Sequence, residues 1–251
     1  MNTATHNTTC QRLRQQGFSL IEIMIAITIS LILMAGIGQI FLGSKTSYNL
    51  QDGMGRLQEN ARFALDILNR SISMTAFSGT LSPLNNAIDS TESKENETAN
   101  TDLGFTTASH TASDTIEVRY TSATDCLGNA TGGTAQDRFY IDGNNLMCLG
   151  NGSITAGVIA EGVENMQILY GEDTDNDTVA NVYVDADNVA DWNAIVSVRV
   201  ALLVSTVQTV GNGTTDSKTH VLLNTPAIGP LGDHVIRRAF TRTIILRNKL
   251  V

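Results

Sequence analysis

The densest group of side chains that could bind a ligand is the acidic run at residues 172–177, Glu-Asp-Thr-Asp-Asn-Asp. Three carboxylates in it alternate with uncharged residues: Asp173, Asp175 and Asp177. Carboxylates at alternate positions of a tight loop can converge on one hard cation, as at the first, third and fifth positions of a calcium loop. Asn181 falls at the ninth position of such a loop, but Thr178 replaces the usual sixth-position glycine and Val184 stands at the twelfth. The run therefore predicts a structural calcium site, with a solvated acidic turn as the alternative.

A second candidate for chemistry is Glu22, the only ionisable residue in the apolar segment 18–42. An ionised side chain in lipid costs about 2–4 kcal/mol on insertion scales, so this carboxylate needs a partner. Its place near the start of the segment would let the amino terminus of a neighbouring chain neutralise it. Such a pair would favour one axial offset between two helices, which makes Glu22 a candidate assembly residue rather than a catalytic one.

The segment around Glu22 has the properties of a membrane-spanning helix. Residues 18–42 are long enough to cross the hydrocarbon core of a bilayer. The first 17 residues contain no acidic group, and Arg12 and Arg14 come just before the apolar segment. These arginines predict a cytoplasmic amino terminus and export of the rest of the chain. A secretory signal peptide would have a shorter apolar region and a small-residue cleavage site, whereas a plain signal anchor remains an alternative.

The chain after the apolar segment predicts an α+β fold. Apolar residues continue at three- and four-residue spacings, as in an amphipathic helix with one buried face: Leu57, Ala61, Ala64, Leu65, Leu68 and Ile72. A polar loop is expected over 79–114 and a β-rich globular head over 115–251. Strands are predicted at 115–121, 138–142, 166–170, 195–207 and 241–246, with a hairpin turning at 142–145. We expect one long amino-terminal helix to pack on an antiparallel sheet.

Residues 17–22, Gly-Phe-Ser-Leu-Ile-Glu, resemble the class III signal of type IV pilins and type II secretion pseudopilins. The resemblance implies cleavage between Gly17 and Phe18 by a prepilin peptidase and N-methylation of the new Phe18 amine. Glu22 then falls at the fifth mature position, where this family uses a glutamate to register the incoming subunit. Residues 1–17 would be the cleaved leader, 18–43 the transmembrane and filament-core part of the helix, and 44–78 its periplasmic continuation.

The length of the chain, its acidic loop and its basic carboxyl-terminal end resemble the PilW-type minor pilins. That end contains five basic residues: Arg237, Arg238, Arg242, Arg247 and Lys249. They are expected to solvate the outer face of the last strand, or else to meet an acidic face on a neighbouring subunit. The resemblance implies a minor pilin that primes or supports assembly of the type IV pilus and affects adhesion, twitching motility or DNA uptake.

The implied partners are the prepilin peptidase, major and minor pilins, and the inner-membrane assembly machinery. The implied location is the inner membrane, with a single span and a periplasmic head, and then the pilus on the cell surface. A type II secretion pseudopilin is the nearest alternative. A membrane-anchored periplasmic binding module or enzyme is a more distant one.

Two cysteines remain in the head after cleavage, Cys126 and Cys148, since Cys10 lies in the leader. In an oxidising periplasm, a bridge between them would close a loop of about twenty residues, worth about 3 kcal/mol in the chain-entropy estimate. Two reduced, buried thiols are the alternative. The histidines show no zinc-ligand spacing relative to these cysteines.

Composition excludes some other functions. The net charge of −9 argues against direct nucleic-acid binding, which favours a concentrated basic surface. The chain has no nucleophile-elbow or zinc-protease motif. Residues 38–46 resemble a phosphate-binding loop only superficially, because the lysine is one position late and the stretch ends a membrane helix. We therefore expect a protein that is not an enzyme and requires no cofactor.

Overall fold

The computed structural model describes residues 17–78, 87–94, 99–100, 105–106, 113–210 and 215–249. The predicted leader, with Cys10, Arg12 and Arg14, lies outside the described residues except for Gly17. So does most of the polar loop predicted over 79–114. The chain divides into two compact units, Met1–Ser47 and Tyr48–Val251, which are treated separately below.

One α-helix, α1, covers Leu20–Met74. In the first unit its side chains are exposed, including those of Leu20, Ile32 and Phe41. It contains an 18-residue window with a mean hydropathy of 2.5, none of which is buried. A helix of this length and composition can span a bilayer, where lipid would cover the apolar side chains. The predicted apolar helix is confirmed.

In the second unit, one face of α1 lies in the hydrophobic core. Leu65 of the predicted set is only partly buried against the core, and the other five are buried: Leu57, Ala61, Ala64, Leu68 and Ile72. Their spacing of three and four residues places them in one stripe, because an α-helix has 3.6 residues per turn. Full burial of each larger side chain contributes about 1.5–3 kcal/mol.

The described residues after the helix form ten strands: β1 (Ala99–Asn100), β2 (Phe105–Thr106), β3 (Ile116–Thr124), β4 (Ala130–Asp142), β5 (Asn145–Gly150), β6 (Gly157–Glu161), β7 (Val163–Glu172), β8 (Val182–Val184), β9 (Ile195–Ser205) and β10 (Arg237–Ile245). They form a four-stranded sheet in the order β3-β4-β5-β6, a second in the order β10-β9-β7-β8, and the two-stranded pair β1-β2. Every paired strand is antiparallel. The α+β class is confirmed, and the head contains two four-stranded sheets where the sequence analysis expected one.

The five strands predicted from sequence are present, at somewhat different ends. The predicted hairpin is also present: Asp142 pairs with Asn145, and Gly143 has a φ of +59° at the turn. That left-handed conformation favours glycine because it has no Cβ. β1, β2, β6 and β8 were not predicted from the sequence, and β1 and β2 fall in the stretch predicted to be a polar loop. All four strands are short, and so few residues show no measurable alternation of apolar and polar side chains.

The core lies between α1 and the inner faces of both sheets. Alternate residues of β9 supply one side of it: Val198, Val200, Leu202 and Val204. The opposite face of β9 is covered as well, because Ala201 and Leu203 pack against Leu222 and Ile228. These two residues belong to the long connection between β9 and β10, which folds over the outer face of the sheet. Burial on both faces explains why β9 reads as a nearly continuous apolar run.

Candidate functional site

The predicted cleavage site and Glu22 lie at the beginning of α1. Phe18 is 79% exposed, and nothing lies within 4 Å of the place where a side chain on Gly17 would begin. The carbonyl oxygen of Ser19 accepts hydrogen bonds from the backbone N–H of Glu22 at 3.1 Å and of Ile23 at 3.2 Å. Glu22 therefore lies in the first helical turn, where the helix dipole favours a negative charge.

The face of α1 that carries Glu22 is suited to close helix packing. Ala26 and Ser30 follow Glu22 at successive intervals of four residues, which puts the three side chains in one stripe. The hydroxyl of Ser30 donates to the carbonyl oxygen of Ala26 at 2.7 Å, and that of Thr28 donates to Ile25 at 2.8 Å. These hydroxyls are thus satisfied within the helix, as a lipid environment requires. Small residues let helix backbones approach closely, so a partner helix can reach the Glu22 carboxylate.

Cys126 and Cys148 form the predicted disulfide, with their Cα atoms 6.6 Å apart. The bond joins the β3–β4 connection to the middle of β5, across a sequence separation of 22 residues. Asp137 lies fully buried beside it and accepts hydrogen bonds from the Tyr120 hydroxyl at 2.5 Å and the Cys126 backbone N–H at 2.9 Å. Burial raises the pKa of Asp137 above its ordinary value, although these hydrogen bonds act in the opposite direction.

Asp125, next to the disulfide, organises two loops. Its carboxylate accepts backbone hydrogen bonds from Leu127 at 2.9 Å, Asn129 at 2.8 Å and Gly152 at 3.1 Å. Burial opposes ionisation of Asp125, but the hydrogen bonds outweigh it and hold the pKa of this carboxyl below its ordinary value. Asp125 was not predicted from the sequence to have a structural role. The turn-forming residues Gly128 and Asn129, shortly after it, were the feature of the sequence that could have indicated this role.

The acidic loop between β7 and β8 brings its three carboxylates together. Oxygen atoms of Asp173, Asp175 and Asp177 lie within 4.8 Å of one another. The Asp173 carboxylate also accepts backbone hydrogen bonds from Asp177 at 3.3 Å and Thr178 at 2.8 Å. These bonds lower the pKa of Asp173 against the opposing effect of desolvation, so the loop holds its first carboxylate ionised.

Thr178 and Asn181 occupy the sixth and ninth positions of the predicted calcium loop. Thr178 has a φ of +70°, the conformation for which glycine is preferred at the sixth position. The backbone therefore makes the required sharp turn although the glycine is missing. The side-chain oxygen of Asn181 accepts hydrogen bonds from the backbone N–H of Thr174 at 2.7 Å and from its hydroxyl at 3.2 Å. Asn181 thus closes the base of the loop through these contacts.

A buried ionic network in the head was not anticipated from sequence. Arg237, at the start of β10, donates to Glu164 at 2.6 and 3.1 Å, to Asp233 at 2.7 and 2.7 Å, and to Asp216 at 2.9 Å. All five N–H groups of the guanidinium are therefore used. Burial opposes the charge, but the three carboxylates raise the pKa of Arg237 above its ordinary value. The expectation that Arg237 solvates the outer face of the last strand is wrong, because its side chain is only 2% exposed.

The other basic residues of the carboxyl-terminal end have two different environments. Arg238, Arg242 and Arg247 are exposed. Lys249 is half-buried and donates from Nζ to the backbone oxygen of Trp192 at 2.5 Å. Burial lowers the pKa of Lys249 to about 8, against the opposing effect of the nearby Asp191 carboxylate.

Two regions of the chain are similar to known protein families. The family model described as Type IV Pilus-assembly protein W, PilW, matches residues 127–248, and the Prokaryotic N-terminal methylation motif matches residues 12–38. A type IV-like pilin from Thermus thermophilus is structurally similar, with 13% sequence identity, a TM-score of 0.44, and coverage of 77% of this chain and 97% of that one. No curated protein matches the sequence significantly. The chain is therefore similar to the PilW family over residues 127–248 and carries the methylation motif at the beginning of its apolar helix.

Proposed function

We propose that this chain is a minor pilin of the type IV pilus, which primes or supports pilus assembly and enters the filament by packing of its amino-terminal helix. The observation that carries the proposal is Glu22. It is the one ionisable residue of the exposed apolar segment 18–42, it lies in the first helical turn, and it falls within the match to the methylation motif.

The mechanism begins with cleavage after Gly17 by the prepilin peptidase, which frees the amine of Phe18. The positive charge of that amine on a neighbouring pilin then neutralises Glu22 and defines the axial offset between the two helices. The stripe containing Ala26 and Ser30 brings the helices close enough for this contact. Major and minor pilins are the neighbours in this scheme, and the inner-membrane assembly machinery moves the packed subunits into the filament.

The type II secretion pseudopilins share this amino-terminal mechanism, so the head has to separate the two systems. The match of residues 127–248 to a pilus-assembly family supports the pilus. Deletion of the gene in its natural host tests this choice. We expect loss of surface pili with normal protein secretion; a secretion defect with normal piliation would instead identify a pseudopilin.

The assembly role itself is tested with Glu22→Gln, which keeps the size of the side chain and removes its charge. We expect the variant to insert in the membrane but to enter sheared pili at least about tenfold less. Without the Glu22 carboxylate, the charged Phe18 amine of the neighbouring pilin has no partner, which costs about 2–4 kcal/mol in lipid. Glu59→Gln, on the exposed part of the same helix, is the matched control and should behave as the natural chain. A membrane-anchored enzyme or binding module would retain its function in both variants.

Processing is tested independently by measuring the intact mass of the chain from cells with and without the prepilin peptidase. A mature chain that begins at methylated Phe18 only when the peptidase is present supports the proposal. A chain that still begins at Met1 in both strains would overturn it, and Glu22 would then belong to an ordinary signal anchor.

We also propose that the loop holding Asp173, Asp175 and Asp177 binds calcium as a structural ion. The convergence of three carboxylates within 4.8 Å and the sharp turn at Thr178 support this. The two positive charges of the ion would reduce the repulsion among the three neighbouring carboxylates and stiffen the β7–β8 connection. The pilus function does not depend on this second proposal.

A further inference from the structure

Asp137 on β4 is a fully buried carboxyl group whose charge is not balanced by a cation. None of the salt bridges formed by the described residues includes it. Its hydrogen-bond donors are all neutral: the Tyr120 hydroxyl, the Cys126 backbone N–H and the hydroxyl of Ser71 on α1. The Asp125 carboxylate nearby adds a second negative charge. Without a cation, an ionised group in the interior of a protein is costly, so the surroundings as a whole favour the protonated acid.

The carboxyl group of Asp137 lies beside the disulfide. One of its oxygens and the sulfur atoms of Cys126 and Cys148 all lie within 4.8 Å of one another. In the sheet, Cys148 pairs with Phe139, and Asp137 lies two residues before Phe139 on the same face of β4. Asp137 and Cys148 are therefore diagonal neighbours across the β4–β5 pair. A proton can pass between the carboxyl and a sulfur after a small side-chain rotation, or through one water molecule.

The two sulfurs differ in their access to solvent. Cys126 is partly exposed in the β3–β4 connection, whereas Cys148 is fully buried in the hydrophobic core. An external reductant therefore attacks the sulfur of Cys126, and the sulfur of Cys148 is the leaving group. A Cys148 thiolate left in the core would be a buried anion without a counter-ion, which is costly. A proton delivered to this sulfur as it leaves removes that cost.

We propose that Asp137 donates this proton when the Cys126–Cys148 bond is opened and accepts it when the bond is closed. In opening, the thiolate of an external dithiol attacks the Cys126 sulfur. The S–S bond breaks, its electron pair goes to the Cys148 sulfur, and this sulfur takes the proton of the Asp137 carboxyl. The second thiolate of the dithiol then releases Cys126, which takes a proton from water. The protein gains two thiols, the dithiol becomes a disulfide, and Asp137 regains its proton from solvent.

Closing follows the same steps in reverse, with an external disulfide as the oxidant. Cys126 first forms a mixed disulfide with the oxidant. The Asp137 carboxylate then takes the proton of the Cys148 thiol, and the resulting thiolate attacks the Cys126 sulfur and expels the reduced oxidant. Asp137 is thus a proton-transfer residue of a thiol–disulfide exchange site, a role that does not depend on the proposed pilin function.

The preferred direction of this proton transfer depends on pH. Burial raises the pKa of Asp137, and the charge of Asp125 acts in the same direction, whereas the hydrogen bonds of Tyr120 and Ser71 lower it. Below the folded-state pKa, the acid can protonate the leaving Cys148 sulfur. Above it, the carboxylate has no proton to donate, and its charge repels the developing thiolate. We expect opening to slow, and closing to be favoured, as the pH rises through this pKa.

The test is reduction of the oxidised, mature full chain by tris(carboxyethyl)phosphine, with thiol release followed from about pH 4 to about pH 8. The phosphine replaces the external thiolate as the nucleophile and ends as its oxide, but the Cys148 sulfur still leaves. Asp137→Asn keeps the size of the side chain and removes the acid. Because the phosphine titrates in the same way against both chains, the ratio of the natural rate to the variant rate isolates Asp137. We expect this ratio to fall by about tenfold or more as the pH rises.

A purely structural role of Asp137 would give the opposite result. Ionisation of the buried carboxyl destabilises the natural head as the pH rises, so reduction through unfolding would make the ratio rise. A ratio that rises or stays constant would therefore overturn the proposal. Asp142→Asn is the control, since it removes a carboxyl from the same strand at the turn of the β4–β5 hairpin. Its ratio should stay constant with pH, and an equal fall in this control would also count against Asp137.

Tyr120→Phe is a second variant, which keeps the Asp137 carboxyl and removes a hydrogen bond that lowers its pKa. Opening should therefore remain fast up to a higher pH than in the natural chain. This comparison does not require Asp137→Asn to fold, and the same pH dependence in both chains would contradict the assignment. None of these results affects the proposed pilin function, since cleavage at Phe18 and the requirement for Glu22 are measured separately.

Discussion

Arg237 and Glu164 form a two-pronged, buried ion pair between β10 and β7, with Nε 2.6 Å from Oε2 and Nη2 3.1 Å from Oε1. β9 lies between these two strands, so the ion pair crosses β9. Arg237 also contacts Asp216 and Asp233, both in the connection between β9 and β10. One guanidinium thus attaches the long covering connection to the sheet below it.

We expect Arg237→Met to lower the free energy of unfolding by about 3–5 kcal/mol, because it leaves buried carboxylates without their counter-ion. Chemical denaturation of the mature chain measures the loss. Arg238→Met, at the exposed neighbouring position, should change stability by no more than about 0.5 kcal/mol. Equal effects of the two substitutions would show that the network contributes no more than a surface charge.

The disulfide should contribute a comparable amount. Replacing both Cys126 and Cys148 by serine removes the constraint on a loop with a sequence separation of 22 residues. We expect a loss of about 3 kcal/mol, mainly because the unfolded chain gains freedom. Denaturation of the natural chain with and without a reductant should reproduce this difference. Reductant should have no effect on the double variant, which is the control for unrelated effects of the reagent.

Stability should fall in acid because of Asp125. Its folded-state pKa lies below the ordinary value of 3.8, so its contribution is present above that value and is lost as the pH falls through the folded pKa. Denaturation midpoints measured from pH 7 down to pH 2 should drop below about pH 4 in the natural chain. Asp125→Asn should reduce the drop and lower stability at pH 7. An unchanged acid profile would contradict the role assigned to this carboxylate.

Asp137 should act in the opposite direction. Its folded-state pKa is raised above 3.8, so the protonated form is favoured by folding and stability is lost as the pH rises from 3.8 through the folded pKa. Asp137→Asn keeps the size of the side chain and removes its charge. Relative to the natural chain, this variant should gain stability as the pH rises above about 4. A constant difference between the two chains across this range would show that the pKa of Asp137 is the same in the folded and unfolded states, which would contradict the raised folded-state pKa.

Calcium should stabilise the head if the β7–β8 loop binds it. We expect addition of calcium after chelation to raise the thermal midpoint of the natural chain, because an ion that binds only the folded state shifts the equilibrium towards it. The double variant Asp175→Asn with Asp177→Asn should show no such rise. Magnesium at the same concentration is the control for ionic strength. Equal responses of the two chains to calcium would remove this loop as the site.

The amino-acid sequence was sufficient for those features that local patterns encode. The apolar segment, the position of Glu22 and the buried stripe from Leu57 to Ile72 follow from hydrophobic periodicity, which one stretch of chain carries by itself. The hairpin at Gly143 follows from turn chemistry. The cysteine pair was predictable because only two cysteines remain after the leader.

Other features depend on residues that are distant in sequence and meet only after folding. In the sequence, Arg237 is one of several basic residues near the carboxyl terminus. Its burial depends on Glu164, which lies 73 residues earlier in the chain. The contact between Arg237 on β10 and Glu164 on β7 likewise requires the strand order β10-β9-β7-β8. Local periodicity says which face of a strand is buried, but it does not say which strand lies beside it. The packing of the whole core determines which strands lie side by side, so these contacts could be identified only from the folded head.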